Sequence, residues 1–264
     1  MRKILLILSC LCSGFLFAQD NYEIQVYGAP TMEKGQTMFE LHSNYTFNGQ
    51  RNILKGVLPS YHSLHETVEI TTGITDNFEV GLYLFTNYTP DHGWKVIGSH
   101  IRPRIAAPES WKLPIGLSLS AEIGWQSSQY ASETFSLEIR PIIDKTFGNL
   151  YLAFNPVLGV TLQGADKPSA PDFSPNVKAA YAVSKKVSLG AEYYGDMGPL
   201  NNFNKLPEQN QAVFLVADLY LDPKWEVNFG PGFGLTNATD GLVMKLILGR
   251  HIDWGKKKKT QVKE

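Results

Sequence analysis

The ten residues SLEIRPIIDK (136–145) combine a guanidinium with carboxylates at alternate positions. Glu138, Arg140 and Asp144 all carry even numbers, whereas the odd positions between them are mostly apolar. Successive side chains of a strand point to opposite faces, so these three groups share one face. Such a face can pair its own charges, or its arginine can bind the carboxylate or phosphate of a small solute.

The same alternation along the rest of the chain places many more charged residues on one common face. The full set is Glu79, Arg102, Arg104, Glu122, Glu138, Arg140, Asp144, Lys178, Glu192, Asp218, Glu226 and Lys245. Five aromatic residues share this face: Tyr83, Tyr151, Tyr194, Phe214 and Tyr220. Because acids and bases are mixed, we expect much of the charge to be paired, with Lys178 directly opposite Glu192. Two interpretations stay open: a structural network with packed aromatic residues, or a constriction that binds a solute.

Catalytic chemistry has one candidate, away from the charged face. His62 and Glu66 have the opposite parity and lie near Ser43 on the preceding strand. A serine and a histidine there resemble the groups of lipid hydrolases, although a polar rim is the simpler interpretation. His62 and His65 point to opposite faces and so make a poor metal pair. We predict no catalytic site, no metal site and no cofactor.

The first residues indicate export. Arg2 and Lys3 precede an apolar run that ends at the small residue Ala18, as in a secretory signal peptide. We therefore expect cleavage after residues 1–18, and a periplasmic N-terminal segment at 19–34.

Cysteine use and charge exclude several functions for the exported chain. Both cysteines, Cys10 and Cys12, lie inside the signal, which excludes disulfides, thiolate metal sites and a cysteine nucleophile. Without residues 1–18 the chain has 22 basic and 25 acidic residues, and five of those basic residues lie in the lysine-rich tail at 255–264. The body is acidic, so nucleic acid is not an expected partner.

Twelve stretches with alternating apolar and polar residues predict twelve strands, and no amphipathic helix is evident. They span 37–47, 64–74, 78–86, 96–104, 115–125, 136–145, 150–162, 173–183, 187–195, 212–221, 225–235 and 242–250. Short turns alternate with longer polar links, among them one at 87–94, a pattern typical of outer-membrane barrels. The sequence thus predicts an all-β fold, an antiparallel transmembrane β-barrel over 35–254.

A soluble antiparallel sandwich would show similar alternation. The barrel is favoured because the strands are long and because aromatic residues mark many strand ends, as in interfacial girdles. Since charge on the lipid face costs about 2–4 kcal/mol at mid-membrane, the charged face must point into the lumen. Gly230, Gly232 and Gly234 also point inward and leave space for a loop or for residues 19–34.

Five prolines fall inside the predicted strands, where each removes a ladder donor. They are Pro103, Pro141, Pro156, Pro175 and Pro231. A closed barrel has no free edge for them, so they predict bulges or strands that stop early.

Several stretches resemble a family of uncharacterised Gram-negative outer-membrane barrels. These stretches are LHETVEITTGITDNFEVGLY, HIRPRIA, LSLSAEIGW, SLEIRPIIDK and AEYYGDMGP, and the resemblance covers about residues 23–250. The family is grouped with barrels of phenol-degradation (meta-cleavage pathway) operons and with transporter-like outer-membrane proteins. The resemblance implies the fold, the location and passive uptake of small organic molecules. The chain departs from the usual barrel ending, because Arg250 and His251 follow the last apolar run.

Together these observations predict a narrow channel or binding barrel for small organic solutes in the outer membrane of a Gram-negative bacterium. An even strand number places both termini in the periplasm. The expected partners are outer-membrane lipid and lipopolysaccharide, the barrel assembly machinery and a small organic solute. The alternatives are a structural barrel with a closed lumen and a lipid hydrolase with a rim site near His62.

Overall fold

The computed structural model describes residues 22–165, 167–222 and 224–254. Within these ranges the chain forms a closed antiparallel barrel in which each strand pairs with the next and β12 pairs with β1. The strands are β1 (Gln36–Asn48), β2 (Leu64–Thr75), β3 (Phe78–Thr89), β4 (Gly93–Ala106), β5 (Gly116–Gln126), β6 (Glu133–Phe147), β7 (Leu150–Gly164), β8 (Asp172–Ser184), β9 (Val187–Asp196), β10 (Asn210–Asp222), β11 (Trp225–Gly234) and β12 (Leu242–Asp253). The prediction of a twelve-stranded barrel is confirmed.

The connections define two ends of the barrel. The short-turn end carries the turns at 76–77, 148–149 and 185–186, and the long-loop end carries 49–63 and 197–209. The predicted long link at 87–94 is wrong. There β3 and β4 continue until only residues 90–92 connect them, with Gly93 at φ +63°. The last strand also runs further than predicted, through Arg250 and His251 to Asp253.

The barrel wall is polar inside and apolar outside, the reverse of a soluble sandwich. On β5, Ser118 and Ser120 are buried, whereas Leu119 between them is 48% exposed. Exposed aromatic residues lie near both rims, with Trp94 and Trp125 towards the long loops. An outer surface of this kind is the apolar belt that a bilayer requires. No helix in the described ranges is long and apolar enough to cross a membrane.

The wall accommodates each proline by losing ladder pairing on one side only. Pro141 and Pro156 lie opposite each other, and pairing between β6 and β7 stops two residues before Pro141 and resumes two residues after it. Pro141 still pairs with β5, and Pro156 pairs with Pro175 on β8. The β4–β5 ladder is interrupted in the same way at Pro103, and the β10–β11 ladder at Pro231. The strands therefore continue through the prolines because one intact ladder suffices to hold each position.

The segment that precedes β1, expected as a periplasmic N-terminal segment at 19–34, lies inside the barrel over its described residues. Residues 22–34, here called the lumenal segment, contact inward side chains from β2, β3, β4, β6, β7 and β12. Because these strands together form the wall around the lumen, the segment must run inside the barrel. The physical reason is composition: Tyr22, Ile24, Val26 and Tyr27 are all buried there. The signal peptide at 1–18 and the tail at 255–264 lie outside the described residues.

Candidate functional site in the barrel lumen

On one side of the lumen, two arginines of β4 pair with glutamates of β2 and β3. Arg102 places Nη2 2.7 Å from Oε1 of Glu69 and Nη1 3.2 Å from Oε1 of Glu79. Arg104 donates from Nε to the same Glu79 oxygen at 2.7 Å. All four side chains are buried. We call this group the arginine cluster.

The opposite side carries a second network, here called the lysine cluster. Lys178 of β8 lies directly opposite Glu192 of β9, as predicted, with Nζ 3.0 Å from Oε1. The same Nζ donates to Oδ1 of Asp218 at 2.8 Å, and Lys245 of β12 donates to Glu192 from the other side. Asn228 completes the network by donating to Asp218 at 2.7 Å. The expected pairing of inward charges is therefore present on both sides.

The arginine cluster also binds the backbone of the lumenal segment. Arg104 donates to the carbonyl oxygens of Gly28 and Pro30, each at 2.9 Å. Glu79 accepts the backbone N–H of Met32 at 2.7 Å. Charge-assisted bonds of this kind are about twice as strong as neutral ones. The inward charges thus bind a part of their own chain.

Wall residues outside the two clusters bind the segment from β6 and β7. The amide of Asn155 accepts the N–H of Tyr27 at 2.8 Å and donates to its carbonyl oxygen at 3.0 Å. Asp144 accepts the N–H of Ala29 at 2.9 Å. These bonds satisfy backbone groups that would otherwise be buried without a partner.

The first part of the segment binds beside the lysine cluster. Lys245 donates to the carbonyl oxygen of Ile24 at 2.9 Å. The side chains of Ile24 and Val26 join one apolar cluster with Phe214, which also contains Ala153, Tyr194, Ala212, Val216 and Val243. The space predicted at the inward glycines is partly used by Phe214, because a Cβ on Gly232 would lie 2.2 Å from its ring.

Tyr27 is the centre of the segment's contacts. Three guanidinium carbons lie 4.6–5.4 Å from its ring centroid, those of Arg102, Arg104 and Arg140. Its hydroxyl donates to Glu23 and lies 3.0 Å from the hydroxyl of Tyr83, which in turn accepts from Nε of Arg102. Burial raises the pKa of Tyr27 well above its ordinary value, so the hydroxyl keeps its proton.

The lumenal segment separates two cavities. The larger one, here called the vestibule, has a volume of about 580 Å³, reaches the long loops and ends on Tyr22 and Glu23. The smaller one, of about 210 Å³, lies at the short-turn end and is lined by the segment from Gln25 to Met32. No wall residue lines both cavities among those the structure describes.

The vestibule is lined by more acids than bases. Its acidic residues are Glu23, Glu122, Glu133, Glu138, Asp172, Asp196 and Asp240, and its basic residues are Lys55 and Arg140. Burial, with a further contribution from Glu122, raises the pKa of Glu23 to about 8, although Arg140 lies 3.7 Å away. The floor of the vestibule is therefore a carboxyl group that is mostly protonated at neutral pH.

The remaining predicted lumen residues occupy varied positions. Tyr151 donates to Asp144 at 3.0 Å, and Tyr194 donates to Glu192 at 2.7 Å. Tyr220 is 52% exposed at the short-turn rim. Among the polar lumen contacts missed by sequence reasoning are Glu23, Tyr27 and Asn155. Asn155 has inward parity on its strand, so alternation identifies it once uncharged side chains are included.

The rim residues do not form a serine–histidine pair. Ser43 donates to Oε2 of Glu66 at 2.8 Å, and Nδ1 of His62 lies 2.8 Å from the hydroxyl of Tyr45. His62 precedes β2 in a left-handed backbone conformation, with φ 57°. No hydrogen bond joins Ser43 to His62 in the part of the chain that the structure describes.

The comparisons with known proteins concern the fold. No protein-family model matches the sequence, and no curated protein matches it. The barrel is similar to the KdgM porin, with a TM-score of 0.53 and 8% identity over 81% of this chain and 98% of that one. It is also similar to the NanC porin, with a TM-score of 0.51 and 8% identity over 80% and 97% of the two chains. The chain shares the barrel fold of these porins. The resemblance to barrels of phenol-degradation operons is not confirmed.

Proposed function

We propose that this protein is an outer-membrane barrel that binds small organic solutes in its vestibule, and that the lumenal segment closes the path behind them. The observation that carries the proposal is a cavity of about 580 Å³ that reaches the long loops and ends on residues 22 and 23. A cavity of this size matches a small-molecule site. Passage of a solute through the lumen then requires the segment to move.

The membrane location is supported by the outer surface. Large apolar side chains are exposed on all twelve strands, on β6 only at its end residue Phe147, and among them are Leu41, Leu84, Leu119 and Leu215. A soluble monomer does not expose a continuous apolar belt of this kind. In the proposed orientation the short turns face the periplasm and the long loops face outward. Lipid, lipopolysaccharide and the assembly machinery are then its partners in the membrane.

The lining of the vestibule favours cationic solutes that carry an apolar part. Acids outnumber bases on its walls, so the local potential attracts positive charge. Tyr22, Phe85 and Tyr130 lie in one aromatic cluster at the vestibule. Aromatic faces add attraction for a cation that is stripped of water. An organic ammonium ion fits both features.

A conductance comparison tests the closure of the path. Asn155→Ala removes two hydrogen bonds to Tyr27. Asn176→Ala is its matched control, because Asn176 pairs with Asn155 across the strands but makes no hydrogen bond to the described residues of the segment. In planar bilayers we expect rare openings of the natural chain, frequent openings of Asn155→Ala, and no change for Asn176→Ala. Equal conductance in all three proteins would show that the segment does not close the path.

Selectivity tests the solute class. Proteoliposome swelling should be faster with benzyltrimethylammonium than with benzoate in Asn155→Ala, and Glu138→Gln should reduce the difference. A preference for benzoate would contradict the proposed class.

The second candidate is a structural barrel with a closed lumen. It is favoured by one observation, the complete burial of segment residues such as Ile24 beneath the vestibule. The absence of channel openings of Asn155→Ala in planar bilayers, together with no solute binding to the natural chain, would support it. We propose no lipid hydrolysis, since Ser43 is bonded to Glu66 and not to His62. Lipid turnover that is lost in His62→Ala would overturn that position.

A further inference from the structure

Three buried side chains on β1 and β2 converge at the edge of the arginine cluster, and one of them, Glu69, belongs to that cluster. Glu40 and His42 are two residues apart on β1 and so share the inward face, and Glu69 of β2 pairs directly opposite Glu40. Each offers one ligand atom, and the three atoms lie within 4.8 Å of one another. Nε2 of His42 is 3.2 Å from Oε2 of Glu69. This spacing is about what two ligands of one small metal ion require.

One carboxyl group of this region has no arginine or lysine partner in the described residues. Glu69 and Glu79 are matched by Arg102 and Arg104. Glu40 is only 8% exposed, yet its carboxylate makes no hydrogen bond or ion pair among the described residues. A buried carboxylate without a partner is costly, and metal coordination is one of the ways in which proteins satisfy it.

Neighbouring groups orient Glu69 for coordination. Its Oε1 accepts from Nη2 of Arg102 at 2.7 Å and from the hydroxyl of Thr71 at 2.6 Å. Its other oxygen, Oε2, faces Nε2 of His42. Arg102 therefore lies on the far oxygen, and a cation can approach Oε2 without meeting the guanidinium directly. Outer-shell bonds of this kind fix the orientation of metal ligands.

The group can be reached from the short-turn end. Glu40 and Glu69 both line the smaller cavity of about 210 Å³, below the lumenal segment. Water there can fill a fourth coordination position.

We propose that Glu40, His42 and Glu69 bind one divalent transition-metal ion of the Zn²⁺ type. One imidazole and two carboxylates form a nitrogen and oxygen donor set that suits Zn²⁺ and related ions. The three protein ligands leave one position open to the cavity. The inference is independent of solute passage, because the site lies on the other side of the segment from the vestibule.

Metal titration of the refolded full barrel tests the site. Isothermal titration with Zn²⁺ should show one binding event in the natural chain. His42→Gln and Glu40→Gln should each weaken it by more than about tenfold, since even outer-shell changes cost about 10–100-fold in affinity. Glu226→Gln is the matched control, because Glu226 lines the same cavity outside the ligand set. Binding that is absent, or unchanged in both ligand variants, would overturn the proposal.

A measurement on the natural chain keeps the test decisive if a variant does not fold. Heat-modified mobility on gels shows which proteins form the barrel. X-ray absorption of the Zn²⁺-loaded natural chain should show one nitrogen and otherwise oxygen donors at about 2.0–2.2 Å. A spectrum without an imidazole ligand would place the ion elsewhere and overturn the proposal.

Discussion

The arginine cluster and the lysine cluster follow the same pattern of inward charge but bind different parts of the lumenal segment. The arginine cluster binds backbone groups at Gly28, Pro30 and Met32, and its guanidiniums surround an aromatic ring. The lysine cluster makes one bond, to Ile24, beside an apolar patch that packs on the same residue. The planar arginine fork reaches several acceptors at once, whereas the lysine ammonium acts as a point charge.

The two clusters also differ in how their carboxylates are shared. Glu192 lies between two lysines, Lys178 and Lys245, so loss of either leaves one cation in place. Glu69 has a single arginine partner, Arg102, and otherwise only neutral or titratable neighbours. The arginine side should therefore be the more sensitive of the two to a single substitution.

The largest effect is expected from Arg102→Met. It leaves Glu69 buried without its cation, and breaking a buried pair in this way costs about 3–5 kcal/mol. Urea unfolding in lipid vesicles, followed by tryptophan fluorescence, should show this loss in the free energy of unfolding. A loss below that of the lysine variant described next would contradict the comparison.

Lys245→Met should have the next largest effect. Glu192 keeps Lys178 at 3.0 Å, so only the charged hydrogen bonds of Lys245 are lost, at about 1.5–3 kcal/mol. The same unfolding measurement applies. A double variant with Lys178→Met removes the remaining cation, and its loss should exceed the sum of the two single losses.

Docking of the lumenal segment should weaken as pH rises. Glu23 has a pKa of about 8 when docked, against 4.5 in the exposed chain, so docking takes up a proton between these values. Below about pH 4.5 the free energy of docking is constant. Between the two pKa values docking becomes about 1.4 kcal/mol less favourable per pH unit, and above about pH 8 its free energy is constant again at the weakest value. The groups that face Glu23 are Glu69, Glu122, Glu138, Arg140 and Tyr27.

Chymotrypsin cleavage after Tyr27 measures this docking equilibrium. Cleavage should rise about tenfold from pH 6 to pH 7 after correction for the enzyme's own pH profile. Glu23→Gln should remove the dependence, since its side chain does not titrate. An unchanged dependence in that variant would assign the effect to another group.

The smallest effect is expected from Tyr27→Phe. The ring stays among the three guanidiniums, and only the hydroxyl contacts with Glu23 and Tyr83 are lost. We expect about 1 kcal/mol weaker docking, measured by chymotrypsin cleavage at constant pH. Tyr27→Leu removes the aromatic face as well, so a loss no larger than that of Tyr27→Phe would show that the cation–π contacts contribute nothing.

Alternation alone was sufficient to predict the wall of the barrel. A period of two is a local property, so the inward position of Arg102, Glu192 and Lys245 follows from sequence parity once the outer surface is assigned to lipid. The opposition of Lys178 and Glu192 follows in the same way, because a short turn fixes the register of a hairpin.

The contents of the lumen could not be predicted in this way. The lumenal segment has no regular period, and its contacts join residues far apart in sequence, such as Tyr27 and Asn155. Parity says that a side chain points inward, but not which partner meets it there. For the same reason parity marks Glu40 and His42 as inward positions but does not identify their partner, since only the pairing of β1 with β2 brings Glu69 to them.

The bond between Lys245 and Ile24 has a consequence for the order of assembly. Its two residues are 221 positions apart, and further hydrogen bonds of the segment come from β2, β3, β4, β6 and β7. The complete binding surface exists only when β12 has paired with β1 and the wall is closed. Residues 22–34 are thus early in the chain, yet their complete set of contacts exists only after the last strand has joined the wall.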